Sequence, residues 1–282
     1  MYISILIFLL GLVVGSFLNV VILRLDENYP IKGIMGRSHC PNCKKKLNWY
    51  ELIPVFSFLI QRGKCRGCGT KISWQYPIIE TATGLLFLLI FNFQFSIFNN
   101  NEILNFETLS AISYKLLANI LYLWIIFSIF IVITIYDIRH KIIPDSMAFL
   151  FAGLSLLFML VTQWGNLAWL EVLAGPILAT PFAVLWFVSE GRWIGFGDAK
   201  LALGMGWFLG LVDGLSAIIL SFWIGSVFGI FLILLSKLQS LSFINKNFTI
   251  KSEIPFAPFL ILGTTLIFFF HWDVLGLKVF FI

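Results

Sequence analysis

The sequence predicts an all-α polytopic membrane protein, a bundle of about eight transmembrane helices with one small polar cysteine-bearing module. Three observations predict it. The 282 residues are 60% hydrophobic and only 12% charged, against about 25% charged in soluble domains. Mean hydropathy is +0.96, and a soluble fold of this length could not hide so much apolar surface. Finally, the apolar residues fall into runs long enough to cross about 30 Å of hydrocarbon, roughly 20 residues each. Disordered, collagen-like and secreted disulfide-rich classes are excluded. The net charge of +5 is distributed as in a membrane protein, so no nucleic-acid partner is expected and membrane lipid is.

The runs fall near residues 2–23, 78–98, 116–136, 146–162, 170–189, 199–212, 215–236 and 255–275. The first lacks a basic start and a small-residue cleavage site, so it reads as a retained span and not a signal peptide. The fourth and sixth are short. Residues 99–107 read as a short polar loop, and no internal repeat is evident. Lys and Arg test this map. Residues 24–77 hold ten of the 19, including Lys32, Lys44, Lys45 and Lys46. Alternation of the spans puts Arg139, Lys141, Arg192, Lys200, Lys237, Lys246 and Lys251 on the same side, and only Lys115 and Lys278 on the other. The positive-inside rule then makes 24–77 cytoplasmic and sends both termini outside.

All four cysteines lie in that cytoplasmic segment, as Cys40-Pro41-Asn42-Cys43 and Cys65-Arg66-Gly67-Cys68, with 21 residues between the pairs. Two such pairs can offer four thiolates to a tetrahedral Zn(II). The other readings are two disulfides or four free thiols, and a reducing cytoplasm disfavours disulfides. Gly67 and Gly69 ease the second turn, and nearby Lys and Arg offset the charge of a tetrathiolate site. About 50 residues would depend on the metal to fold.

Acidic residues are few, and their places are informative. Asp137 ends the third span, and Asp198, in Gly195-Phe196-Gly197-Asp198-Ala199-Lys200, opens the sixth at the same membrane face. A carboxylate there is costly unless it faces a hydrated cleft or a partner. Two carboxylates sharing a site cannot both ionise cheaply. One then keeps a proton while the other acts as a base, which is aspartic-protease chemistry. Gly195 and Gly197 leave room for a substrate backbone and a looser helix. The alternative pairs Asp137 with Arg139 or Lys141, and Asp198 with Lys200. Asp145, after Pro144, reads as a helix N-cap or a supporting group at the site. Glu80 contacts the cysteine module or caps an end. Pro255 and Pro258 should free backbone carbonyls, tolerated where a cavity is lined. His39, His140 and His271 are scattered; His39 adjoins Cys40 and is read as exposed.

Together these residues resemble the bacterial type IV prepilin peptidases, the leader peptidases of pilus, type II secretion and competence systems. Those enzymes are Gly-x-Gly-Asp intramembrane aspartic proteases. The likeness covers Gly15-Ser16-Phe17-Leu18-Asn19-Val20-Val21, the paired cysteines and Tyr76-Pro77-Ile78-Ile79-Glu80. It continues through Asp137 with Ile143-Pro144-Asp145, the Gly195–Lys200 stretch, and Ile254-Pro255-Phe256-Ala257-Pro258-Phe259. It implies that Asp137 and Asp198 are the catalytic pair and that the substrates are prepilins or pseudopilins with short basic leaders. It also implies N-methylation of the new N-terminus from S-adenosylmethionine, although no glycine-rich nucleotide fingerprint follows a strand. Ala257 stands where many relatives are expected to carry glycine, a difference read as one of packing. The expected layout is a first transmembrane helix (1–23), a cytoplasmic zinc module (24–77) and a seven-helix protease domain (78–282) in the bacterial inner membrane. The rivals are a proton- or cation-coupled transporter with a regulatory zinc module, a non-catalytic scaffold, and a methyltransferase without protease activity.

Overall fold

The computed structural model describes residues 2–25, 36–101, 106–163, 168–237, 254–274 and 276. Lys32, Lys246, Lys251 and Lys278, used in the charge count, lie outside the described residues. Every expected apolar run is a helix. They are α1 (Tyr2–Arg24), α3 (Gln75–Asn101), α4 (Phe106–His140), α5 (Asp145–Thr162), α6 (Trp169–Ser189), α7 (Phe196–Leu209), α8 (Leu211–Lys237) and α9 (Ala257–Phe270). A short α2 (Phe56–Ile60) lies in the cysteine module. α3 runs to Asn101 and α4 begins at Phe106, so both ends of the expected loop at 99–107 are helical, and residues 102–105 lie outside the described residues.

Among the described residues six helices are long and apolar enough to cross a membrane: α1, α3, α4, α5, α6 and α8. The other two, α7 and α9, have 14 residues each and reach about 21 Å at 1.5 Å per residue. Each is stopped by its backbone. Gly210 takes φ 80° and ψ 179°, a conformation essentially restricted to glycine, so α7 ends three residues before the expected 212. His271 ends α9 in the left-handed region at φ 49°. Only 11% of the apolar window of α8 is buried, as fits a helix whose solvent is lipid.

The chain divides into two compact units, Met1–Val132 and Ile133–Ile282. In the first, α1 packs on α3 through backbone approach. A Cβ at Gly11 would lie 2.6 Å from Gly84 Cα, and one at Gly15 would lie 2.7 Å from Glu80 Cα. Between membrane helices the hydrophobic effect offers no drive, so small residues that admit close contact hold such pairs together. The fully buried Asn19 locks the end of this seam, donating to the carbonyls of Gly15 (3.2 Å) and Tyr76 (3.3 Å). Trp124 of α4 donates to the Phe87 carbonyl (3.1 Å) and stacks on its ring at 4.6 Å. In the second unit the same device recurs. Gly206 meets Ala174 and Gly175 of α6, and Gly204 abuts Phe151 of α5.

The cysteine module corrects the reading that the chain holds no repeat. Two knuckles superimpose in sequence at a constant offset of 25 residues. In the first, Cys40 N–H donates to Lys45 O (3.0 Å), Lys44 N–H to Cys40 O (2.9 Å) and Leu47 N–H to Ser38 O (3.0 Å). In the second, Cys65 N–H donates to Thr70 O (2.9 Å), Gly69 N–H to Cys65 O (2.9 Å) and Ile72 N–H to Gly63 O (2.7 Å). Isolated bridges His39–Lys46 and Lys64–Lys71 close both. The turn residue has positive φ in each, Gly69 at 70° and Lys44 at 57°. Glycine relieves that strain in one knuckle only, which is why side-chain patterns hide the duplication.

Candidate functional site

Four helix ends meet in the second unit. Asp137 lies in the last turn of α4 and Asp198 in the first turn of α7, and only 4% and 8% of each residue is exposed. Asp137 Oδ2 accepts the Ala257 amide at the start of α9 (3.2 Å). Asp198 N–H donates to the Gly195 carbonyl (3.2 Å), and the Asp198 carboxylate is near enough to Asp137 to feel its charge. The two carboxylates therefore share one buried site, with Asp137 held by a backbone N–H at a helix start and Asp198 in the first turn of α7, where the helix dipole favours negative charge.

Lys200 is not the partner of Asp198. Its ammonium lies 2.6 Å from Asp145 Oδ1 and over the rings of Phe149 and Phe196, 5.1 and 5.0 Å from their centroids. This corrects the N-cap reading of Asp145. Pro144 is the N-cap of α5, Asp145 is its first helical residue, and no side-chain cap bond forms. Ion pairing across two helices outcompetes local capping because the side chain of Lys200, only 12% exposed, needs a counter-charge.

The glycines before Asp198 divide their work. A Cβ at Gly197 would lie 2.8 Å from Ile143 Cβ, so this glycine admits the α4–α5 connection and not a substrate. Gly195 is the N-cap of α7, and a Cβ there would meet Asp198 Oδ2 at 3.6 Å, an ordinary contact. At Ala257 the side chain and the backbone play separate parts: the methyl group is packed away, and the amide, which any non-proline residue there would supply, is the group that bonds Asp137. Pro258 falls in the first turn of α9, where a missing N–H costs nothing; the group there that reaches the acid pair is the Ala257 amide, one of the N-terminal donors that a helix leaves without an internal partner. Pro258 is the signal that a helix starts there, but nothing local says which side chain takes the amide.

The four cysteines form a second cluster, in the first unit. Their sulfurs lie within 4.8 Å of one another, with Cys40–Cys68 at 3.8 Å and Cys43–Cys65 at 4.0 Å. Ligands about 2.3 Å from a tetrahedral zinc are separated by about 3.8 Å, so this donor set fits a metal ion. Hydrogen bonds from the Thr70 side chain and backbone bring the Cys68 thiol down to about 6, toward the ligand form. The Gly67 amide donates to Cys65 Sγ (3.3 Å), and a Cβ on Gly67 would crowd Lys45 and Cys43 Sγ at 3.1 and 3.3 Å. Lys45 does not simply offset the thiolates: its ammonium lies 3.0 Å from the buried Glu51 carboxylate, which also accepts the Asn48 amide at 2.9 Å. His39 is exposed, with Nδ1 3.3 Å from the Arg37 carbonyl, and among the described residues no histidine joins a ligand cluster. Glu80, left open by the sequence, accepts the Val55 amide of the module at 2.7 Å. The described residues form no strand, so a glycine-rich strand–turn–helix cradle for S-adenosylmethionine is not found among them.

Fold and site together define a class: helical multi-pass membrane proteins that bury a carboxylate pair at one end of a helix cluster. Comparison with known proteins narrows it. Residues 9–93 match the bacterial peptidase A24 N-terminal domain and residues 124–234 the type IV leader peptidase family. A prepilin leader peptidase/N-methyltransferase from Xanthomonas campestris pv. campestris is 31% identical over 304 aligned positions, covering 94% of this chain and 90% of the relative. Proteins of the same name from Bacillus subtilis and Myxococcus xanthus are 31% and 34% identical over 72% and 73% of this chain. The alignments span 73% of the Bacillus protein but only 56% of the Myxococcus one, just over half its length. No solved structure gives a significant match. The chain belongs to the type IV leader peptidase family. None of these relatives is named as a transporter, so that alternative finds no support.

Proposed function

We propose that this protein is an inner-membrane aspartic endopeptidase that removes the basic leader from prepilins or pseudopilins and N-methylates the new N-terminal residue. The observation that carries the peptidase reading is the burial of Asp137 and Asp198 in one site at the ends of α4 and α7. The ionised member of the pair takes a proton from water while the protonated member hydrogen-bonds the scissile carbonyl. Hydroxide adds to the carbonyl carbon, and collapse of the tetrahedral intermediate breaks the C–N bond. The departing amine takes a proton from the pair, which restores the starting state. The Ala257 amide holds the Asp137 carboxylate in place throughout. A prepilin joins a basic leader to a long apolar helix, so its scissile bond sits at the membrane surface, the depth given to both aspartates by the charge map.

Cys40, Cys43, Cys65 and Cys68 are assigned to one structural Zn(II), whose bonds to four thiolates would tie the two knuckles together. Residues 24–77 form this cytoplasmic module, with both termini outside, and residues 78–282 carry the peptidase. Methyl transfer, with S-adenosylmethionine as donor, follows the names of the relatives, and no residue of this chain is assigned to it. The test is incubation of the purified protein with a prepilin, reading substrate size and N-terminal mass. A shortened product carrying one added methyl group is expected. Asp198→Asn in folded protein should give none; cleavage near the wild-type rate would remove the pair from the mechanism. Labelling of Lys44–Lys46 by an impermeant reagent in intact cells would reverse the topology.

A further inference from the structure

We propose that the segment between the two cysteine knuckles, residues 49–60, is a membrane-surface anchor that seats an apolar face in the lipid headgroup layer. A metal module of this size has little reason to display large apolar side chains to water. Here Trp49 is 78% exposed, Leu59 60% and Ile60 70%, with Phe56 exposed beside them. The short helix α2 is two-sided. Phe58 points inward and is buried, its ring 4.9 Å from that of Trp74, while Phe56, Leu59 and Ile60 point out.

The occupant of this face follows from its position and its charge. Val55, the N-cap of α2, donates its amide to Glu80, 2.7 Å away, in the second turn of α3. Since α3 is a candidate membrane span beginning at Gln75, that bond holds α2 within the first turns of a crossing helix, at the depth of the bilayer surface. Val55 adopts φ 60° there, a conformation unusual for a β-branched residue, so the tether is maintained against local backbone preference. Trp74 stands exposed just before α3, and indole rings favour the membrane–water boundary. Arg62, Lys64 and Lys71 rim the groove beside Leu59 and Trp74. Aromatic and aliphatic groups bordered by cations match an anionic lipid surface, whose acyl boundary takes the apolar face and whose phosphates meet the cations. The anchor would fix the module against the membrane independently of any substrate.

The test uses the full chain in nanodiscs of phosphatidylcholine and phosphatidylglycerol. A nitroxide amino acid replaces Ile60, Phe56 or, as control, the exposed Lys46; cysteine labelling is avoided because of the four ligand positions. Zinc content of each variant reports an intact module, and two independent patch positions guard against misfolding of one. At positions 60 and 56, collisions with a water-soluble nickel relaxant should fall several-fold relative to position 46, and collisions with oxygen should rise. Nickel accessibility at the patch equal to that at position 46 overturns the proposal. Shielding that appears only after a prepilin-like peptide is added also overturns it, and makes the face a peptide-docking surface. Leader cleavage, measured on the same samples, separates this outcome from failure of the peptidase reading.

Discussion

The cysteine module and the acid pair gather functional groups by opposite means. In the module each knuckle supplies two sulfurs from four consecutive residues, and a short backbone hydrogen-bond pattern written twice positions them. The acid pair has no local unit. Asp137 ends one helix, Asp198 begins another, and the Ala257 amide that holds Asp137 lies 120 residues further along the chain. A locally built site should fail by losing its metal and its fold together, whereas a site built from helix ends should lose chemistry while the membrane fold survives.

The largest effect expected is therefore at the acid pair. Asp137→Asn or Asp198→Asn should lower cleavage by at least about 10³-fold, and the double variant should be no worse than either single, because the two act as one unit. Equal additive losses in a steady-state assay would break the pairing. The pH–rate profile should be bell-shaped, with apparent constants belonging to the pair.

Loss of one cysteine ranks next. Cys65→Ser should abolish stoichiometric zinc and loosen the module, seen as faster proteolysis between residues 36 and 73, while the second unit stays folded. Zinc should also leave on acidification, because binding requires thiolates and protons compete. The Cys43 thiol gains from the Lys45 amide, but desolvation and bonds shared with the other thiols push it up to about 11. Zinc must therefore displace its proton at neutral pH, and affinity falls as pH falls. Zinc retained in full by Cys65→Ser would show that the cluster does not work as one site.

Smaller effects probe the seams. Gly197→Ala places a methyl group 2.8 Å from Ile143 Cβ and should destabilise the second unit by about 1–3 kcal/mol through overpacking. Ile143→Ala in the same chain should recover part of that loss; no recovery would mean that Gly197 serves something other than packing. The smallest change is Asp145→Asn. The pair with Lys200 is close, but the Asp145 side chain is 68% exposed, and such pairs contribute about 0–1 kcal/mol. Lys200 also keeps its two aromatic neighbours. Cleavage should fall less than about tenfold, and a loss as deep as that of Asp198→Asn would place Asp145 among the reacting groups.

Composition and periodicity fix the membrane class because the bilayer leaves a spanning chain little freedom: an apolar run of sufficient length has to be a helix to satisfy its own backbone. Six of the eight runs were legible for that reason, α7 and α9 being shorter than a full span, and the cysteine cluster was legible because its four ligands arise from two fixed spacings. Helix ends were less legible. The stop at Gly210 depends on a backbone angle that many glycines never adopt, and the repeat of the knuckles hides behind Lys44 taking the conformation of Gly69. Only the tertiary structure decided the partners of the ionisable groups. It paired Lys200 with Asp145 and not with Asp198, gave the Ala257 amide to Asp137, and filled the space at Gly197 with Ile143. Each is a contact between elements far apart in the chain. Hydropathy and spacing report the conformation of one segment, whereas the choice among competing partners depends on which helix ends packing brings within reach.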